Sequence, residues 1–365
     1  MTDKISHSGV VFILPSFAGG GAERVSITLL NQLSERSNFP ELSLIVFDDA
    51  GPLSGLVSDK IKVHVLGCKR LREAFPILAK YILQNKPKII FSNMAYVNQA
   101  VLFLKSFLPN DIKYIVREAN TPLLGTNGLK RIILKYGYRF LYRKADEIVC
   151  PSRCVADDLL SYLDPLSYDP VVIYNPVDIA KINLNCEVAV RTPGLGIRLV
   201  AVGRLTYQKG FDRLVNLMPD LPSNTHLTIL GEGPEKASLL KQIAELGLLG
   251  RVTLLGYVDN PWTYIAGADA LVLPSRWEGL PNVALEALAC GTKVISTPEA
   301  GGINEIVMLT SGSVFIADMG ADFVAAIVSL KIKNQKNKKS ENFLPNDFKF
   351  SQVVDRYEKL FLSYL

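Results

Sequence analysis

Apolar positions along the chain gather into short uninterrupted runs, and these predict strands buried on both faces rather than half-exposed ones. Val10 to Leu14, Leu42 to Phe47, Ile61 to Leu66, Lys88 to Phe91, Tyr114 to Val116, Glu147 to Cys150 and Val171 to Tyr174 form a first series. Helical stretches separate them, such as the one through Val25, Leu29, Leu30 and Leu33. A second series runs through Arg198 to Val202, Leu227 to Leu230, Val252 to Leu255, Ala270 to Leu273 and Lys293 to Ser296. Alternation of this kind predicts an α/β protein of two doubly wound parallel sheets. No internal repeat is visible.

The clearest unit is Ala270 to Val307. An apolar strand, Ala270 to Leu273, leads through the loop Arg276 to Leu280 into a helix. Pro281 suits the first helical position, and Val283, Leu285, Leu288 and Ala289 recur at helical spacing until Gly291. The loop therefore sits at the carboxyl end of a strand, the edge at which open α/β sheets bind ligands. Glu278 precedes the helix and Glu286 follows eight residues later, about two turns at 3.6 residues per turn. Together with the N–H groups of the helix N-terminus they suit a ligand with hydroxyls at two ends and a diphosphate between. The plainer alternative makes Glu278 a dipole-stabilised first-turn carboxylate and Glu286 part of a solvated face.

Residues 1–180 are expected to form one domain and 181–347 a second, with 348–365 a closing helix returning to the first; Phe350 to Leu365 is amphipathic. Ile179 to Ile197 is polar and weakly patterned and reads as the linker, and Lys331 to Lys339 as an exposed charged loop. With 365 residues the chain has length for two sizeable cores.

Net charge changes this picture by its distribution. Residues 1–185 carry 22 Lys and Arg against 17 Asp and Glu, whereas 186–365 carry 18 of each, so the whole excess of +5 lies in the first half. A basic half suits an anionic partner, a membrane surface or a phosphorylated acceptor. Within it, Gly128 to Asp146 combines Lys130, Arg131, Lys135, Arg139, Arg143 and Lys144 with Ile132, Ile133, Leu134, Phe140 and Leu141. It reads either as a helix lying on an anionic bilayer or as a surface helix with its apolar stripe in the core. The five cysteines form no CxxC pair and the three histidines are widely spaced, so a zinc site or a disulfide framework is not expected. No apolar run is long enough for a membrane span and the N-terminus does not read as a signal peptide, so a cytoplasmic location is expected.

Candidate chemistry lies at the other strand ends. Gly19, Gly20 and Gly21 stand between a strand and a helix, where a ligand can approach the backbone closely; a flexible turn is the alternative. The loop matches neither GxGxxG nor a Walker sequence. Gly203 and Arg204, followed by Gln208, Lys209 and Gly210, supply two cations suited to a diphosphate, although either can equally be a surface charge. Gly231-Glu232-Gly233-Pro234 mimics half a dinucleotide fingerprint, with Lys236 where the third glycine belongs. Gly256, Tyr257 and Val258 offer backbone groups to a planar base, or form a simple turn.

The ordered set GRL..QKG, GEGP, LGYV, LPSRWEGLPNVALEALACG and AGGINEIV resembles the retaining nucleotide-sugar transferases of glycosyltransferase family 4, of GT-B fold, and GGGAER resembles the N-terminal loop of their bacterial polysaccharide-assembly members. The resemblance spans nearly the whole chain. It implies two domains facing across a cleft, with Arg204 and Lys209 on the donor diphosphate, Glu278 on the donor sugar and Glu286 on the ribose. It further implies support from the backbone of Gly279, Leu280 and Asn282, and an approach by Gly19 to Gly21 from the first domain. It implies no cofactor and no metal, cations and helix dipoles supplying the electrostatics. A histidine found near the reacting sugar in many members is missing from Val116 to Thr121, where Arg117, Glu118 and Asn120 stand as substitutes or as parts of a structured loop.

The resulting expectation is a retaining, metal-independent hexosyl- or N-acetylhexosaminyltransferase. It uses a nucleotide-sugar donor, UDP-linked, and a lipid-linked or lipopolysaccharide acceptor in bacterial surface polysaccharide assembly such as O-antigen or capsule. Its partners include an anionic membrane surface, at the inner face of the cytoplasmic membrane, and no nucleic acid. A soluble acceptor, or an inert sugar-nucleotide-binding scaffold, is the alternative.

Overall fold

The computed structural model describes residues 9–163, 169–186, 190, 196–330 and 342–365. The chain divides into two compact units, one holding residues up to Pro176 together with Ser351–Leu365, the other Val177–Phe350.

The first unit is built on a seven-stranded parallel sheet of order β3-β2-β1-β4-β5-β6-β7. Its strands are β1 Val10–Leu14, β2 Leu42–Val46, β3 Lys62–Val65, β4 Ile89–Ser92, β5 Lys113–Arg117, β6 Glu147–Cys150 and β7 Val171–Val172. Its helices are α1 Gly21–Ser34, α2 Leu71–Asn85, α3 Ala95–Lys105, α4 Gly128–Leu141 and α5 Arg153–Leu160. The central strands are apolar and buried throughout, as parallel sheets covered on both faces require. Ser152 caps α5 by accepting from the Val155 N–H at 3.2 Å. Gly137 lets α4 come close to α3: a Cβ there would meet the Gln99 side chain, whose amide donates to the Leu134 carbonyl at 2.9 Å.

In the second unit the sheet has six parallel strands in the order β10-β9-β8-β11-β12-β13. These are β8 Arg198–Val202, β9 His226–Leu230, β10 Val252–Gly256, β11 Ala270–Leu273, β12 Lys293–Ser296 and β13 Val314–Ile316, with α6 Ile179–Asn185, α7 Phe211–Leu217, α8 Lys236–Glu245, α9 Trp262–Gly267, α10 Asn282–Ala289, α11 Ile303–Leu309 and α12 Ala321–Val328. At the amino ends of β8 and β11 the buried Arg198 guanidinium pairs with Asp269 at 2.7 and 3.0 Å, fixing their register.

The last helix, α13 Phe350–Leu362, packs in the first unit. Its Phe361 ring lies 5.9 Å from Phe12 of β1 and 5.4 Å from Phe91 of β4. Four buried positions at helical spacing, Val353, Val354, Tyr357 and Phe361, form the docking face.

Two expectations need correction. The presumed linker begins as helix α6, because Asp178 caps it by accepting from the Lys181 N–H at 2.9 Å. The three-residue edge strand β13 was not expected; only Val314 of its residues is buried, too short an apolar run to register as a pattern. The expected loop Lys331 to Lys339 and part of the expected linker lie outside the described residues.

Candidate active site

In the second unit the strand order reverses between β8 and β11, the switch point at which ligands bind in open α/β sheets. The loops leaving these two strands meet there. Lys209 Nζ lies 2.6 Å from Glu278 Oε1, and the buried Ser275 hydroxyl donates to the same oxygen at 2.8 Å. Glu278 is 7% exposed, so its charge needs these partners. Lys209 has three N–H donors, which leaves it capacity for a further acceptor. Arg204 is exposed, and although its carbonyl accepts from the Thr206 N–H at 2.8 Å, its guanidinium makes no hydrogen bond or ion pair with the other described residues. Its five N–H donors are therefore uncommitted at the same sheet edge.

The glycines of these loops explain themselves by close approach. The Lys209 stem crosses Gly203, where a Cβ would lie 3.1 Å from Lys209 Cε. At Gly210, with φ +67°, a Cβ would meet the Pro274 carbonyl oxygen at 2.1 Å, and the Arg276 N–H donates to the Gln208 carbonyl at 2.8 Å. Gly231 and Gly233 pack against the backbone of Gly203 and Leu205. The GEGP turn is thus used to brace the loop after β8, which accounts for its partial likeness to a dinucleotide fingerprint. Gly256 is joined to it, its carbonyl accepting from the Gly231 N–H at 2.7 Å, and Tyr257 stands exposed beside it with Val258 half-buried.

Behind Glu278 the AGG turn closes the arrangement. The Gly302 N–H donates to the Gly279 carbonyl at 2.9 Å, and a Cβ on Gly301 would lie 2.1 Å from the Glu278 carbonyl oxygen. Gly279 and Leu280 are buried, and Asn282 opens α10, half-buried. Glu286 lies in the second turn of the same helix, half-buried.

Arg276, given no role by the sequence, is the clamp of this edge. It pairs with both Asp212 oxygens at 2.8 and 2.6 Å, donates to the Tyr207 carbonyl at 2.7 Å and lies 3.8 Å over the Tyr207 ring. Burial raises the Asp212 carboxyl, but the Arg276 hydrogen bonds and charge outweigh it and hold the group below its ordinary range. The RWEG spacing was the available signal, an arginine two residues before the glutamate.

The first unit places its candidates differently. Gly19 and Gly21 are exposed, whereas Gly20 lies against Glu23, since a Cβ there would meet Glu23 Oε2 at 2.3 Å. The N-terminus of α1 therefore already faces a carboxylate from its own first turn. Arg117 is fully buried: its guanidinium donates to Asn93 Oδ1 at 2.7 Å, to Tyr357 Oη at 3.1 Å and to Asn175 Oδ1. Asn93 in turn donates to the Ala22 carbonyl and to Ser26 of α1 at 2.8 and 2.7 Å. Arg117 thus braces β5 against α1 and α13 and does not present hydrogen bonds to a ligand.

Glu118 is likewise enclosed, 3% exposed, its carboxylate accepting from the Tyr142 and Tyr138 hydroxyls. Burial pushes its carboxyl up to about 7, with the tyrosine hydrogen bonds and Arg117 opposing. Of the two readings of Glu118, its burial against Tyr138 and Tyr142 favours the part of a structured loop over a group facing the sugar. Asn120 remains half-buried, its Oδ1 accepting from the Thr121 N–H at 2.9 Å while its amide N–H groups have no partner among the described residues.

Helix α4 is apolar on two sides. Leu134, Gly137 and Tyr138 face the core, but Leu129, Ile132, Ile133, Tyr136 and Phe140 form a second, exposed apolar face. Lys130, Arg131, Lys135, Arg139 and Arg143 are exposed with it. Arg131 also donates to the Leu123 carbonyl at 3.1 Å. No helix among the described residues is long and apolar enough to cross a membrane.

Two family sequence profiles cover most of the chain. Residues 19–181 match Glycosyltransferase Family 4, and residues 192–346 match Glycosyl transferases group 1. The chain belongs to glycosyltransferase family 4. Its relatives include a Campylobacter jejuni N-acetylgalactosamine-N,N'-diacetylbacillosaminyl-diphospho-undecaprenol 4-alpha-N-acetylgalactosaminyltransferase, 29% identical over 80% of this chain and 81% of that protein. Another is the Rhizobium meliloti lipopolysaccharide core biosynthesis glycosyltransferase LpsE, 25% identical over 94% and 96%. The Anabaena HepE structure with UDP-glucose superposes with a TM-score of 0.76 at 19% identity, covering 98% of this chain and all of that one, and shows the same GT-B fold. This family 4 glycosyltransferase is accordingly an enzyme of the glycosyl-transferring class, and its relatives act in lipopolysaccharide and polysaccharide biosynthesis.

Proposed function

We propose that this enzyme transfers a hexosyl or N-acetylhexosaminyl group from a UDP-sugar, with retention, to a lipid-diphosphate-linked or lipopolysaccharide acceptor in surface polysaccharide assembly. The Lys209–Glu278 pair at the switch point, beside the uncommitted Arg204, carries the reading. Arg204 takes the diphosphate as a planar fork and Lys209 as a point charge shared with Glu278, so negative charge developing on the departing UDP is balanced without a divalent metal. Glu278 orients the donor sugar, Glu286 the ribose hydroxyls, and the backbone of Gly279, Leu280 and Asn282 the sugar and phosphate. Gly203, Gly231, Gly256, Tyr257 and Val258 frame the nucleotide.

With Arg117 and Glu118 enclosed, Asn120 is the group of that loop with donors to offer the sugar or acceptor. Transfer proceeds on one face of the sugar: the UDP–sugar bond breaks, the leaving phosphate takes the acceptor proton, and the acceptor oxygen bonds to the anomeric carbon from the same side. The doubly apolar α4, with its surrounding cations, lies on an anionic bilayer and brings the enzyme to a lipid-linked acceptor at the inner face of the cytoplasmic membrane. Relatives named for undecaprenol-linked and lipopolysaccharide substrates support this choice.

The test supplies polyprenyl-diphosphate-linked saccharides and lipopolysaccharide core with a panel of UDP-sugars in EDTA and determines the anomeric configuration of any product by NMR. A product with the donor's α configuration supports the proposal. An inverted linkage, or transfer that appears only with added divalent metal, contradicts it.

A further inference from the structure

Two thiols outside the donor site stand in unusual proximity. Cys186 closes α6 and Cys290 closes α10. Their sulfurs are 3.4 Å apart, and they lie 3.6 and 4.0 Å from the Trp262 carbonyl oxygen. Neither is in a disulfide. Cys186 is half-buried and open to a reagent, whereas Cys290 is buried. A disulfide holds its sulfurs at about 2.05 Å, so roughly 1.4 Å of side-chain rotation separates the pair from a bond.

We propose that Cys186 and Cys290 form a thiol–disulfide modification site, at which reaction with a small-molecule disulfide joins α6 to the C-terminal end of α10. The Cys290 thiol hydrogen-bonded to it holds the Cys186 thiol below its ordinary pKa, against the opposing effect of burial, which favours Cys186 as the attacking thiolate. The Cys186 thiolate attacks the reagent and expels one reagent thiolate, giving a mixed disulfide. Cys290, its proton passed to solvent, attacks the Cys186 sulfur and expels the second. Two protein thiols are oxidised and one reagent disulfide is reduced to two thiols.

The bond would act near the donor helix. The Cys290 N–H donates to the Glu286 carbonyl at 3.0 Å, so the staple is fixed to the turn that carries Glu286. The cross-link itself is independent of what Glu286 binds.

The test incubates the folded full-length protein with oxidised glutathione, caps the remaining thiols with N-ethylmaleimide and maps peptides without reduction. The expected result is a Cys186–Cys290 cross-linked peptide without retained glutathione, reversed by dithiothreitol. The urea midpoint of the oxidised protein should rise, because a loop between positions 104 residues apart is closed in the unfolded chain, and that of Cys186→Ser should not. Capping of both cysteines by N-ethylmaleimide, glutathione retained at Cys186, or pairing with Cys68, Cys150 or Cys154 would overturn the proposal. The wild-type map decides the matter even if the variant folds poorly.

Discussion

Lys209 and Glu278 come from loops 69 residues apart in sequence and meet at 2.6 Å, with Ser275 completing the coordination of the same carboxylate oxygen. The contact ties the loop after β8 to the loop after β11 at the point where the sheet order reverses. On the proposed function it also sets the distance between the group that holds the diphosphate and the group that holds the sugar.

Lys209→Ala is expected to lower kcat/KM by roughly 100-fold or more, on the order of 3 kcal/mol, as for loss of one charge-stabilising donor. It also leaves Glu278 with fewer partners, a stability cost of about 1–3 kcal/mol. Steady-state kinetics with urea unfolding separates the two effects. Near-normal turnover in a folded variant would remove Lys209 from the donor site.

A backbone substitution should act on the same pair from below. Gly301→Ala places a methyl group 2.1 Å from the Glu278 carbonyl oxygen at a residue with φ +58°. The expected cost is about 1–3 kcal/mol of stability, with an impaired kcat, whereas Gly312→Ala, with φ +69° and nothing near its Cβ, should leave kcat unchanged. Equal kinetics in the two variants would contradict this packing.

Glu118 gives a pH dependence of definite sign. Its folded carboxyl titrates at about 7 against an ordinary 4.5, so between these values the folded protein keeps a proton that the unfolded chain has lost. The stability this group contributes is fully present below pH 4.5 and lost as pH rises through 7. Glu118→Gln removes the loss and should gain on the wild type across that window, by up to about 3 kcal/mol above it. Parallel stability profiles of the two proteins would show that the carboxyl is not so displaced.

The exposed face of α4 makes membrane association separable from folding. Ile133→Ser with Tyr136→Ser should weaken sedimentation with phosphatidylglycerol vesicles, and Lys130→Gln with Lys135→Gln should remove the salt-sensitive part of binding. Circular dichroism should be unchanged, since all four side chains are exposed. Undiminished vesicle binding by both double variants would leave α4 without this role.

Much of the fold was legible because the strands of a doubly covered parallel sheet are continuous apolar runs: β1, β6, β8, β11 and β12 have the bounds expected from sequence. β13 was missed because an edge strand of three residues buries little. The second-unit loops were legible as a motif, and close approach of backbones now gives Gly203, Gly210, Gly231 and Gly301 their reasons. Between a ligand-facing role and a structural one for Arg117 and Glu118 the sequence left the choice open, and their burial favours the structural one. Their true partners, Asn93, Asn175, Tyr142 and Tyr357, are scattered along the chain and assemble only on folding.

On the proposed function Arg204, Lys209, Glu278 and Glu286 hold a sugar nucleotide without metal. Calorimetric titration of the purified protein with UDP-, GDP- and ADP-sugars in EDTA, with slow donor hydrolysis followed alongside, tests it most directly. The expected result is saturable binding of a UDP-sugar, with release of its sugar, and loss of both in Lys209→Ala and Glu286→Ala. Failure of every donor to bind the folded protein would contradict it.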